Sequence, residues 1–180
     1  MRRATPIDQL VKKAKNGDQW AFGELYDALL GRVYRFVFFR VSTREDAEDI
    51  TEQIFVRVFE KIGEYHERGV PFEAWVFRIS RNMIIDYYRA HARTSASLDE
   101  AREMEDKRPS PEEATVTALT YDDVRQAMKK LPDAYQEIII LKFIEERDND
   151  EISEILEKPV DQIRVLQSRA LARLKQLVNV

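Results

Sequence analysis

Apolar residues return every three or four positions through almost the whole chain, and no stretch alternates apolar with polar residues. Ala47, Ile50, Ile54, Val58 and Ile62 form one such series, and Phe72, Trp75, Val76, Ile79, Met83 and Tyr87 a second. Ile163, Leu166, Ala170, Leu174 and Leu177 form a third. A period near 3.6 residues puts each series on one face of a helix, whereas a strand would need a period of two. Five glycines and six prolines in 180 residues leave room for few turns. The expected fold class is therefore all-α, with short connections.

The punctuation divides the chain in two. Asn16-Gly17-Asp18 ends one helix and caps the next. Ser42, with Glu45 three residues on, has the form of a capping box and predicts a helix from Thr43 to about Glu64. Gly69-Val70-Pro71 breaks the chain, and Pro71 suits the first turn of a helix running to about Arg93. Residues 94–118 lose the apolar periodicity and are rich in charge and small side chains, so they read as a pliable linker, with a transient helix at Asp99 to Asp106. Thr120 then caps a helix from Tyr121 to Leu131, and Pro132 opens another to about Glu145. Asp148 and Glu151 cap Ile152 to Leu156, and Lys158-Pro159 turns the chain into a last helix from Val160 to Val178. The expected organisation is a helical domain at 1–93, a linker at 94–118 and a second helical domain at 119–180. Two short helices joined by a tight turn, the second bearing basic and amide side chains, have the layout of a helix-turn-helix.

Composition excludes several classes. There is no cysteine, hence no disulfide and no thiolate metal site. The two histidines, His66 and His91, sit in no metal-spaced cluster, and neither a glycine-rich phosphate loop nor a nucleophile elbow is present. The expectation is a protein with no catalytic residues, no metal, no cofactor and no small-molecule substrate. The N-terminus lacks the apolar core of a signal peptide, and the longest apolar runs are too short to span a bilayer, so no membrane insertion and a cytoplasmic location are expected. The net charge of −4 is unusual for a protein that only binds DNA. The charge is segregated, however. Arg164, Arg169, Arg173 and Lys175 follow Asp161 with no further acid, while Asp99, Glu100, Glu103, Glu105, Asp106, Glu112 and Glu113 make the linker acidic. Different segments are thus fitted to different partners.

Three helix faces are candidates for those partners. Arg78, Arg81, Asn82, Ile85 and Arg89 share one side of the second series' helix. Guanidiniums and an amide so arranged suit a nucleic-acid backbone and base edges. On the residues alone a solvated face, with Asp86 as ion-pair partner, is the simpler account. On the last helix, Gln162, Arg164, Gln167 and Ser168 are placed to read base edges, and Arg169 and Arg173 to hold phosphates. Asp46, Asp49, Glu52, Gln53 and Arg57 lie outside the first series, with Phe55 and Val56 at its edge. That acidic-amide face beside an exposed Phe suits docking on a basic helix, and a plain solvent face suits it equally.

Two blocks decide between these readings. AFGELYDALLGRVYRFVFFRV, REDAEDITEQIFVRVFEKI and FEAWVFRISRNMIIDYYR resemble, in order and spacing, region 2 of the extracytoplasmic-function (ECF) sigma factors of bacterial RNA polymerase. AMKKLPDAYQEIIILKFIEERDNDEISEILEKPVDQIRVLQSRALARL resembles region 4. The resemblance implies a transcription-initiation factor that binds core polymerase and promoter DNA. Asp49, Gln53 and Phe55 would dock on the clamp helices of the largest polymerase subunit. Trp75, Arg81, Asn82, Asp86 and Arg89 would hold the melted element near minus 10. The last helix would read the duplex element near minus 35, the linker would thread the polymerase cleft, and an anti-sigma protein is an expected partner. Two positions depart from the family pattern. Glu157 stands where a Gly is usual before the recognition helix, and Leu166 where a basic residue is common. A stand-alone helix-turn-helix regulator, or a sigma-like adaptor that has lost DNA reading, are the competing readings.

Overall fold

The structure, a computed structural model, describes residues 6–66, 69–97 and 121–178. Among these it contains helices and no strand: α1 (Pro6–Lys15), α2 (Gln19–Phe38), α3 (Arg44–Lys61), α4 (Phe72–Ser97), α5 (Tyr121–Lys129), α6 (Asp133–Ile139), α7 (Asn149–Leu156) and α8 (Val160–Val178). A 3₁₀ turn, Ile62–Glu64, follows α3, and a π-helical turn, Ile140–Ile144, follows α6.

Local chemistry sets the boundaries. Gly17 takes a φ of +88°, where an L side chain is strained, and Asp18 accepts a hydrogen bond from the Ala21 amide at 3.0 Å to open α2. Helix α3 is capped one residue later than the Ser42 box predicts. Thr43 Oγ1 accepts from the Asp46 amide at 3.0 Å and donates to the Asp46 carboxylate at 2.6 Å. Pro71 stands just before α4, its carbonyl accepting from the Trp75 amide. Helix α4 runs past Arg93 to Ser97, so the first residues expected in the linker are helical; the rest of that segment, and Thr120, lie outside the described residues. The box at Asp148 and Glu151 is present in both directions, at 2.8 and 3.0 Å.

In the first half, α1 to α4 enclose Leu25, Leu29, Phe36, Ile54 and Phe72, with Phe36 edge-on to Phe77. In the second, α5 to α8 enclose Met128, Ile138, Leu141, Ile152, Ile163 and Ala170. Burying each such side chain contributes roughly 1.5–3 kcal/mol. The last helix follows its predicted stripe: Ile163 and Ala170 are fully buried, and Leu166, Leu174 and Leu177 partly so.

Helix α4 departs from its predicted stripe. Besides Phe72 and Val76 it buries Phe77, Ser80 and Ile84, which lie on a second face. The reason is tertiary: Phe77 meets Phe36 of α2, and α4 also packs on α7 while α2 meets the π-helical turn, so the two halves lie against each other. The seam is charged. Glu137 takes Arg40 and Arg81 on one carboxylate oxygen, at 2.9 and 2.8 Å. Glu145 takes Arg35 and Arg32, and Arg147 pairs with Glu73. Across the same seam Arg125 donates to the Val41 carbonyl and stacks over Phe38.

Candidate nucleic-acid and polymerase interface

The first candidate surface is a groove between α3 and α4. Asp46, Asp49 and Gln53 line it from α3, and Asp86, Tyr87 and His91 from α4. Partial burial would raise the Asp46 carboxyl. Hydrogen bonds from the Thr43 hydroxyl, the Tyr87 hydroxyl and the Thr43 amide outweigh it and hold the carboxyl below its ordinary range. Burial, reinforced by the same contact with Asp46, pushes the Tyr87 hydroxyl up, so it stays a proton donor. Glu52 is exposed beside the groove. Phe55 is not: it is 5% exposed, its ring edge-on to Tyr26 at 4.6 Å. The exposed Phe expected there is Phe59, at 55%, resting on Phe22, with Val56 beside it. The stripe of α3 is broad enough to take in Phe55 because α2 lies across that side, which the spacing of the α3 residues does not reveal.

The second surface is the strip along α4. Trp75 is wedged between Tyr65 and Phe72, with ring centres 5.3 and 5.5 Å away, and Tyr65 is itself fixed by a hydrogen bond to the Val70 carbonyl. Trp75, Arg78, Arg81 and Asn82 line one cavity of about 340 Å³. Its far wall is α7 and the following turn, through Ile155 and Glu157. Arg78 donates through Nε to the Glu154 carbonyl at 2.8 Å and pairs with Glu157 at 3.2 Å, while Arg81 is held by Glu137. Asp86 and Arg89 pair with each other in solvent at 3.5 Å, further along the helix. The six residues predicted for this strip thus split. Four form a pocket, and Asp86 belongs instead to the α3–α4 groove.

The third surface is α8, presented by a helix-turn-helix. Glu157 ends α7 at φ +55°, and its amide donates to the Ser153 carbonyl; the Ser153 hydroxyl donates to the Lys158 carbonyl at 2.6 Å. From this turn α8 projects Gln162, Arg164, Ser168, Arg169 and Arg173 into solvent. Arg164 pairs with Asp161 of the same helix, at 3.2 Å. Gln167 donates to Asn149 Oδ1 at 2.7 Å, a bond that fixes one helix of the motif against the other. Val165 is 48% exposed among the polar residues and is the sort of apolar contact a thymine methyl accepts. An isolated valine carries no signal of such a role in the sequence.

Among the described residues the protein is all-helical, its last helix shows a row of cations and amides, and its first half shows an arginine-lined pocket and an acidic groove, the architecture of a helix-turn-helix protein. Residues 25–94 match Sigma-70 region 2, and residues 121–174 match Sigma-70, region 4. The ECF RNA polymerase sigma factor BldN of Streptomyces coelicolor is 30% identical over 171 residues, which take in 94% of this chain and 65% of BldN. The ECF RNA polymerase sigma factor SigW of Bacillus subtilis is 28% identical over 179 residues, 94% of this chain and 95% of SigW. The fold is that of CnrH, solved with the cytosolic domain of CnrY (TM-score 0.71, 23% identity, 94% of this chain and 95% of that one). It is equally that of RpoE of Bartonella quintana, solved with the anti-sigma factor NepR (TM-score 0.72, 24% identity, 88% and 97%). The chain belongs to the ECF class of RNA polymerase sigma factors.

Proposed function

We propose that this chain binds core RNA polymerase in the cytoplasm and directs it to a two-part promoter, with no chemistry of its own. The observation that carries this reading is the row of exposed readers on α8, Gln162 to Arg173, in a turn-and-helix frame otherwise tightly packed. In this reading the region 2 domain is 1–93, the linker 94–118 and the region 4 domain 119–180. Region 2 docks through the α3–α4 groove, where Asp46, Asp49, Glu52 and Gln53 offer carboxylates and an amide to a basic partner helix. Phe59 and Val56 take the apolar role at its rim, while Phe55 acts from beneath by supporting α3.

The pocket of Trp75, Arg78, Arg81 and Asn82 receives melted promoter near minus 10: an aromatic wall, an amide and two guanidiniums suit an unstacked base and its phosphates. Gln162, Arg164, Gln167 and Ser168 read duplex near minus 35, and Arg169 and Arg173 hold its backbone. RpoE was captured with an anti-sigma factor, and from that neighbour we infer a similar protein partner here. The test is transcription from a promoter library by core polymerase with the purified chain. Enrichment of a shared two-part sequence, lost on Arg164→Ala with Gln167→Ala, is the expected result. A library left unenriched overturns the reading.

A further inference from the structure

We propose that a further cavity, walled by Lys12, Lys15 and Asn16 of α1 and by Tyr65, holds backbone phosphates of the DNA strand beside the segment gripped by the Trp75 pocket. The inference adds a contact that the two promoter elements do not include, and it rests on the reading of the Trp75 pocket as the single-strand site. The cavity measures about 370 Å³, and its walls belong to the first half alone. Asp8 stands on its rim, so two ammoniums face one carboxylate and the cavity is positive on balance.

Tyr65 joins the two cavities. It is 4% exposed, its ring centre lies 5.3 Å from that of Trp75, and its hydroxyl donates to the Val70 carbonyl. Its backbone carbonyl accepts from the Lys15 ammonium. Lys61 and Glu64, just before it, line the Trp75 pocket, whereas Tyr65 itself lines the α1 cavity. A strand that leaves the pocket past Lys61 and crosses Tyr65 therefore meets Lys15 and Lys12 next. Lysines in the last turn of a helix also serve the helix's own terminal carbonyls, and Lys13 fits that account. Lys15 does not, because its ammonium crosses to a carbonyl 50 positions away. An ammonium carries three donors, and one carbonyl bond leaves it the capacity to hold a phosphate oxygen as well. Lys12, three residues earlier, shares that side of α1, and Asn16 adds an amide suited to phosphate or sugar oxygens.

The test uses core polymerase carrying the full chain. It is titrated with single-stranded oligonucleotides covering the minus 10 segment that the promoter library selects, lengthened one nucleotide at a time from each end. Affinity should jump when one end grows from the Trp75 pocket onto the α1 cavity. A single strand gains about 0.7 in log–log salt slope per phosphate neutralised, so two contacts steepen the slope by about 1.4. The gain over the short oligonucleotide should then shrink about sevenfold for a fourfold rise in salt. Lys12→Ala/Lys15→Ala should abolish both the jump and the added slope. Lys13→Ala removes the same charge from the same helix outside the cavity and should keep both. Should circular dichroism show the double variant misfolded, Lys12→Glu, at an exposed side chain that leaves the Lys15 anchor in place, decides instead. A jump that survives in the folded variant, or one that Lys13→Ala reduces equally, overturns the phosphate site. The two readings fail differently. If Asn82→Ala weakens the short oligonucleotide while the lysine variant keeps the jump, the Trp75 pocket stands and the α1 site falls. If the library yields no such segment, or Asn82→Ala is silent on it, the pocket reading falls and takes the α1 site with it.

Discussion

Glu157 sits in the left-handed region, where a Cβ crowds the backbone and glycine is at no disadvantage. The carboxylate that this strain accompanies reaches Arg78. Glu157→Gly is expected to raise stability by about 1 kcal/mol, since the lost ion pair is largely exposed and worth less than the relieved backbone. Chemical denaturation measures this; a destabilised variant would mean the pair outweighs the strain. A second residue-scale effect lies at the start of α3. The Asp46 carboxyl is depressed, so it stabilises the folded state fully above its unfolded pKa of about 3.9 and loses that contribution as pH falls through its lower folded value. Asp46→Asn should cost roughly 0.5 kcal/mol at neutral pH and nothing in strong acid. Denaturation midpoints at pH 7 and pH 2 test this: an equal loss at both would exclude the carboxylate as the cause.

At the scale of single helices, local sequence is a good guide where a cap or a stripe controls the element. The box at Asp148 and the stripe of Ile163, Leu166 and Ala170 stand as read, because their partners lie within a turn or on one neighbouring face. Thr43 displaced Ser42 as cap because Asp46 answers its hydroxyl directly. Phe55 and Phe59 both meet α2, one at Tyr26 and the other at Phe22 in its first turn, yet only Phe55 is buried, a difference the spacing within α3 does not carry. The difference in burial is measurable. Phe55→Ala should destabilise the protein by about 3–5 kcal/mol through the cavity it leaves. Phe59→Ala should change stability by no more than about 1 kcal/mol and weaken polymerase binding. Denaturation together with a pull-down on core polymerase separates the two; equal effects on stability would contradict the assigned burial.

For the molecule as a whole, two helical regions in order were legible, and their mutual packing was not. The contacts that join them link Arg81 to Glu137 across 56 positions and Arg35 to Glu145 across 110, and no periodicity carries information over such distances. Nor does a glutamate in a charged segment advertise that it will be buried, because the cost of burying it is offset only by arginines supplied from elsewhere. A consequence belongs to this scale. Both tryptophans, Trp20 and Trp75, lie in the first half, so their fluorescence follows that half while far-ultraviolet circular dichroism follows all the helices. With the seam closed, the halves share Glu137 and Glu145, and the two signals should melt together. Breaking a buried pair by removing one partner costs about 3–5 kcal/mol, so Glu137→Ala should uncouple the halves, and the two melting curves should part. If the wild-type curves already diverge, the ion pairs do not bind the halves into one cooperative unit. If the variant's curves still coincide, cooperation between the halves runs through the apolar core to which both contribute instead.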